Sequence, residues 1–74
     1  MRHILRELKE MYETIEDNEV LGDAVLSYLR VEGIDEGFLE KLERDIVDWA
    51  EEGITIKTFI GKLKKAINKE LDVE

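Results

Sequence analysis

Apolar residues recur every three or four positions along most of this chain, which is the period of an amphipathic α-helix. The pattern is interrupted near Asp17 and at two corners with nearly the same sequence, Glu32-Gly33-Ile34-Asp35 and Glu52-Gly53-Ile54-Thr55. It predicts four helices, over residues 2–17, 19–32, 36–52 and 56–71. We therefore expect an all-α fold, a compact bundle of four helices in a single domain that comprises residues 1–74.

Each corner contains the residue types that end one helix and begin the next. Gly33 and Gly53 suit the left-handed conformation that follows a helix end, and the isoleucine after each can fold back onto the last turn. Asp35 and Thr55 suit the N-cap of the following helix, because their side chains accept hydrogen bonds from its free N–H groups. We expect helix-turn-helix-like corners at both glycines.

The second predicted helix is apolar around most of its circumference. Its polar residues form only a narrow strip, at Glu19, Asp23, Ser27 and Arg30. A helix of this composition is typically buried, so we expect it to be the central one. Gly22 leaves the start of this helix undecided, since the helix could instead begin with Asp23 as the N-cap.

The composition favours a small soluble protein without disulfides. The 74 residues include no cysteine, so packing and helix capping must stabilise the core. Many Glu and Lys residues and the absence of Gln and Cys follow the tendency of hyperthermophile proteins. The first residues lack the apolar stretch of a signal peptide, and no run is long enough to cross a membrane. We therefore expect a cytoplasmic protein that does not act at a membrane.

The net charge of −8 is unevenly distributed. Residues 10–54 carry fifteen acidic and three basic residues, whereas residues 55–74 carry five lysines and three acidic residues. A uniformly acidic chain would repel nucleic acid. Residues 1–9 are also basic, with three basic residues and one acidic residue, and the two basic ends weaken that argument without reversing it.

The sequence predicts no catalytic, metal or cofactor site. Nothing in the pattern brings the only histidine, His3, together with the only serine, Ser27, as nucleophilic catalysis would require. The many carboxylates fall on predicted solvated faces, and the chain has neither a glycine-rich phosphate loop nor a calcium-binding loop. We therefore expect a non-enzymatic protein that needs no cofactor.

An interaction surface is predicted on the fourth helix, around Gly61. Glycine inside a helix costs about 1 kcal/mol relative to alanine, a cost that close approach of another backbone would explain. Gly61 shares its side of the helix with Lys57, Lys64 and Asn68, which form the candidate interface with a partner protein or a second copy. Val47 lies off the apolar stripe of the third helix and indicates contact on a second side.

DNA binding is the alternative. The last two helices and the Gly53 corner share the plan of a helix-turn-helix, whose second helix enters the major groove. Trp49 departs from that motif, which usually has a small residue there. The candidate contacts would hold phosphates without reading bases; they are Lys57, Lys62, Lys64, Lys65 and Lys69.

Overall fold

Four α-helices follow one another in the computed structural model, which describes residues 2–72. They are α1 (Arg2–Thr14), α2 (Asn18–Val31), α3 (Glu36–Glu52) and α4 (Ile56–Glu70), and the described residues form no strand. The bundle measures 30 × 25 × 22 Å. The predicted all-α fold of four helices is confirmed. Within residues 2–72, each helix is too short or too polar to span a lipid bilayer.

The connection between α1 and α2 differs from the prediction. α1 ends at Thr14, whose hydroxyl donates to the Glu10 carbonyl at 2.8 Å. Asp17 has an extended backbone and caps α2, because its carboxylate accepts from the Val20 N–H at 3.0 Å. The predicted end at residue 17 was therefore wrong, and so was the alternative start of α2 at Asp23.

Both glycine corners are confirmed. Gly33 and Gly53 have φ values of 81° and 70°, in the left-handed region. At the first corner the N–H of Gly33 donates to the Arg30 carbonyl, and the N–H of Ile34 donates to the Leu29 carbonyl, both at 3.1 Å. This pair of bonds satisfies carbonyls that a helix end would otherwise leave free.

The predicted N-caps of α3 and α4 are also confirmed. The Asp35 carboxylate accepts from the Phe38 N–H at 3.0 Å. The Thr55 hydroxyl accepts from the Thr58 N–H at 3.2 Å. The first corner therefore needs only four residues outside the helices and the second only three, which keeps α3 close to α2 and α4 close to α3.

All four helices contribute to one apolar core, with α2 packed against both α1 and α3. The buried side chains are Ile4, Leu8, Leu21, Val25, Leu26, Leu29, Leu39, Leu42, Ile46, Phe59, Leu63 and Ile67. The central position of α2 is thus confirmed, but its burial on almost every side is not. Val20 and Val31, in its first and last turns, are 55% and 82% exposed. Val47 is 52% exposed, so no second contact covers it within residues 2–72.

Gly22 lies on the buried face of α2, directly against Ile46 of α3. A methyl group placed on this buried glycine would lie only 2.7 Å from Cγ2 of Ile46. The absence of a side chain at Gly22 therefore allows the two helices to pack at this distance. The sequence pattern had indicated only a doubtful helix boundary there.

Candidate functional site

A groove of about 680 Å³ lies between α3 and α4. We call it the α3–α4 groove. Its floor is apolar, and charged side chains stand along both edges. The lining residues are Asp35, Gly37, Phe38, Lys41, Leu42, Asp45, Trp49, Lys62, Lys65, Ala66, Lys69 and Glu70.

The packing of α4 determines which of its residues face this groove. Phe59, Leu63 and Ile67 are buried in the core at successive intervals of four residues. Because a helix turns once in 3.6 residues, the positions beside this buried row lie at the edge of the helix. Lys62 and Lys69 lie at that edge, Lys65 lies farther round toward solvent, and all three line the groove.

Trp49 is the rigid aromatic element of the groove floor. Its ring meets the buried ring of Phe59 edge to face, with centroids 5.8 Å apart and planes at 86°. This geometry is favourable for two aromatic rings, and it fixes the indole against the core. Trp49 nevertheless remains partly exposed, and it is the only tryptophan of the chain.

The charges of the groove differ in sign from the charge of the whole chain. Four lysines and three carboxylates line it, whereas the chain as a whole carries −8. Along α4, Lys62, Lys65 and Lys69 lie three and four residues apart and therefore project from one face. The Lys62 ammonium lies 5.8 Å from the Trp49 ring centroid, within reach of a cation–π interaction. The α3 edge is mixed, with Asp35, Lys41 and Asp45.

The predicted interface around Gly61 lies on another side of α4. Gly61 is exposed, and a methyl group placed on it would meet no atom of residues 2–72 within 4 Å beyond its chain neighbours and the backbone of its own helix. Lys57 is exposed as well, and Asn68 is half-buried. The Lys64 ammonium lies 5.5 Å from the ring centroid of Tyr12 in α1. No neighbouring backbone therefore explains Gly61 within the described part of the chain, and an external partner there stays a prediction.

The five lysines proposed as DNA contacts fall into two groups. Lys62, Lys65 and Lys69 line the groove, whereas Lys64 lies toward α1. Helix phase places Lys57 beside Lys64, on the opposite side of Gly61 from the groove. All five are exposed, so both groups are accessible to a ligand.

The remaining polar contacts stabilise the bundle. The His3 imidazole lies 2.9 Å from a Glu32 carboxylate oxygen, joining the start of α1 to the end of α2. The Asn18 side-chain amide donates to the Ile54 carbonyl at 2.9 Å, joining α2 to the second glycine corner.

Burial raises the pKa of the Tyr12 hydroxyl to about 12. Among residues 2–72, no three His, Asp or Glu side chains are grouped so as to hold a metal ion.

Helical periodicity places Phe38 and Trp49 on the apolar stripe of α3, so sequence reasoning did not reveal the groove. Both side chains are only half-buried, and both line the groove. Helical periodicity alone does not distinguish full burial from this intermediate state. The lysine spacing along α4 was the available signal, because it places Lys57 and Lys64 at one edge of the helix and Lys62 and Lys69 at the other, but it does not show which edge borders a groove. The chain matches no family model, no curated protein and no solved structure with which it was compared.

Proposed function

We propose that this chain is a non-enzymatic protein-interaction module that binds a segment of a partner protein in the α3–α4 groove. One observation carries the proposal: the only tryptophan lines this groove, partly exposed and in edge-to-face contact with the buried Phe59. Exposed tryptophans in well-packed pockets are enriched among the residues that dominate binding energy. A groove between two helices is also a common receptor for an amphipathic segment.

Trp49 supplies a direct test, because its emission reports on the groove alone. A random-peptide library without tryptophan is selected against the folded chain, and the enriched peptides are synthesised. We expect these peptides to change Trp49 emission in a saturable manner. Phe38→Ala should weaken their binding, since Phe38 lines the groove. Val31→Ala is the matched control, because Val31 is exposed outside the groove.

Two results would contradict the proposal. Selection could enrich no peptide, or the enriched peptides could bind without any effect of Phe38→Ala on a folded variant, as checked by circular dichroism. Light scattering on the free chain tests the other possibility, that a second copy of the chain occupies the groove. A homodimer that Phe38→Ala dissociates would show that the groove serves self-association instead.

Weakly specific DNA binding remains the second candidate, because all five lysines of α4 are exposed. Counterion release predicts that log affinity falls with log salt by about 0.9 for each phosphate contact. DNA should use lysines on both sides of Gly61, so Lys57→Glu with Lys64→Glu should weaken it. The same pair should leave groove binding unchanged. We expect no binding of random duplex at about 0.15 M salt, where the acidic helices lie within a few screening lengths of α4.

A further inference from the structure

We infer that the segment bound in the α3–α4 groove is an acidic amphipathic helix whose carboxylates pair with Lys62, Lys65 and Lys69. This inference rests on the proposed function and names its partner class. It is carried by the agreement between the lysine row, the apolar floor and the acidic remainder of the chain.

The lysine row has the spacing of an α-helix because it is part of one. Lys62, Lys65 and Lys69 lie three and four residues apart along one edge of the groove. At 1.5 Å per residue, the row is about 10 Å long. A second helix lying alongside α4 would present carboxylates at the same intervals if Glu or Asp occupied positions i, i+3 and i+7. Each carboxylate would then face one ammonium group.

The two edges of the groove differ, and this difference sets the orientation of the acidic face. The α4 edge has three lysines and Glu70, a net charge of +2, whereas the α3 edge places Asp35 and Asp45 beside Lys41, a net charge of −1. Carboxylates of the ligand are therefore favoured toward α4 and disfavoured toward α3. The expected helix has acidic residues on one side and neutral or mixed residues on the other.

The floor accepts apolar anchors between these edges. Phe38 and Trp49 are half-buried lining residues separated by about three turns of α3, or about 16 Å. A ligand helix of about three to four turns would contact both rings. The Lys62 ammonium already lies over Trp49, so a ligand carboxylate can pair with it without losing that contact.

The acidic remainder of the protein discriminates against other ligands. Most of the fifteen acidic residues of positions 10–54 lie outside the groove and attract basic segments without directing them to Trp49. An acidic segment is repelled by that stretch and attracted by α4, which carries five lysines and one glutamate. Selectivity then comes from repulsion elsewhere as well as from attraction in the groove.

Three synthetic peptides of about eighteen residues test the inference. They share the same helical apolar positions and contain no tryptophan, and their charged row is Glu, Gln or Lys. We expect the Glu peptide to bind about tenfold more tightly than the Gln peptide at low salt, since three exposed ion pairs contribute modestly. This advantage should shrink as salt rises. Anisotropy of a labelled peptide gives the affinity, and Trp49 emission gives the location.

Two double variants supply matched controls. Lys62→Glu with Lys65→Glu reverses two charges along the groove, whereas Lys57→Glu with Lys64→Glu reverses two charges on the other side of the same helix. Both lower the net charge by the same amount. The groove pair should abolish the preference for the Glu peptide or reverse it toward the Lys peptide. The control pair should preserve the preference.

The outcomes separate this inference from the function on which it rests. Equal binding of the Glu and Gln peptides, with Trp49 responding to both, would overturn the acidic assignment and leave the interaction module intact. Equal losses in the two double variants would overturn the pairing with the groove lysines. If no peptide, selected or synthetic, changed Trp49 emission, the proposed function itself would fail. A homodimer that the groove pair dissociates would identify a second copy as the occupant.

Discussion

Gly22 and Gly61 form a natural pair for testing how these helices pack. Both lie inside a helix, at the fifth residue of α2 and the sixth of α4. Gly22 is buried against Ile46, whereas Gly61 is exposed with open space beside it. Replacing each by alanine therefore changes helix propensity equally and the packing unequally.

The two substitutions should change the free energy of unfolding in opposite directions. Alanine is favoured over glycine inside a helix by about 0.8–1.0 kcal/mol, and Gly61→Ala should gain most of that. At Gly22 the new methyl would lie 2.7 Å from Cγ2 of Ile46, well inside a normal carbon–carbon contact. That methyl belongs to a β-branched, buried side chain with few alternative rotamers. Overpacking of this kind costs about 1–3 kcal/mol, so Gly22→Ala should be destabilised by about 0.5–2 kcal/mol.

Urea unfolding monitored by circular dichroism gives both free energies, and light scattering checks the mass of each variant. A difference of 1 kcal/mol should move the melting temperature by about 4–8 °C in a domain of this size. Ile46→Leu removes Cγ2, so it should relieve part of the cost of Gly22→Ala in a double-mutant cycle. If Gly22→Ala proved as stable as Gly61→Ala, the close approach of α2 and α3 would be refuted. A loss of mass or stability in Gly61→Ala would instead indicate a partner on that side.

Further predictions concern the core, the corners and one phenol. Leu29→Ala should destabilise the fold by about 2–5 kcal/mol because Leu29 is fully buried, whereas Val31→Ala should stay within about 0.5 kcal/mol; thermal melts compare them. Gly33→Ala and Gly53→Ala should each cost about 1 kcal/mol or more, since both glycines have positive φ; urea unfolding measures this. Burial raises the pKa of Tyr12 from 10.0 to about 12, so its contribution to stability should be complete below pH 10 and lost as pH rises to 12. Tyr12→Phe should lack this loss, and absorbance titration of the phenol gives the pKa directly.

A helix end could be predicted from the sequence where the residue at that position has a single local role, such as ending a helix or capping the next one. Gly33 and Gly53 are the glycines that end a helix, and Asp35 caps the next one. These features depend on the backbone within a few residues, so sequence alone specifies them. The sequence marks Asp17 as a residue that breaks one helix and caps the next, which the structure confirms, but the predicted end of α1 at residue 17 lies three residues too late, because Asp17 can also continue a helix. Local propensity does not decide between those two roles.

The glycine that mattered for packing was the one that the sequence reasoning did not select. Gly22 lies three, four and seven residues before Val25, Leu26 and Leu29, on the buried face of α2. That spacing was a readable sign of close helix approach. Gly61 attracted the interface prediction because it interrupts a polar face, where glycine lacks an evident role. Among residues 2–72, no neighbouring side chain or other helix packs against Gly61 to give it such a role.

The groove was beyond sequence reasoning for a different reason, because its character depends on which neighbours each lysine has. Along the chain, the five lysines of α4 form one basic helix, which is why DNA was considered. In the bundle, Lys64 lies near Tyr12 while Lys62 lies over Trp49. The same charge therefore has an aromatic neighbour from α1 on one side and an open apolar groove on the other. A DNA duplex lying across α4 can contact both groups of lysines, whereas a helical ligand in the groove contacts one. Reversing one lysine pair at a time is therefore the change that tells the two functions apart.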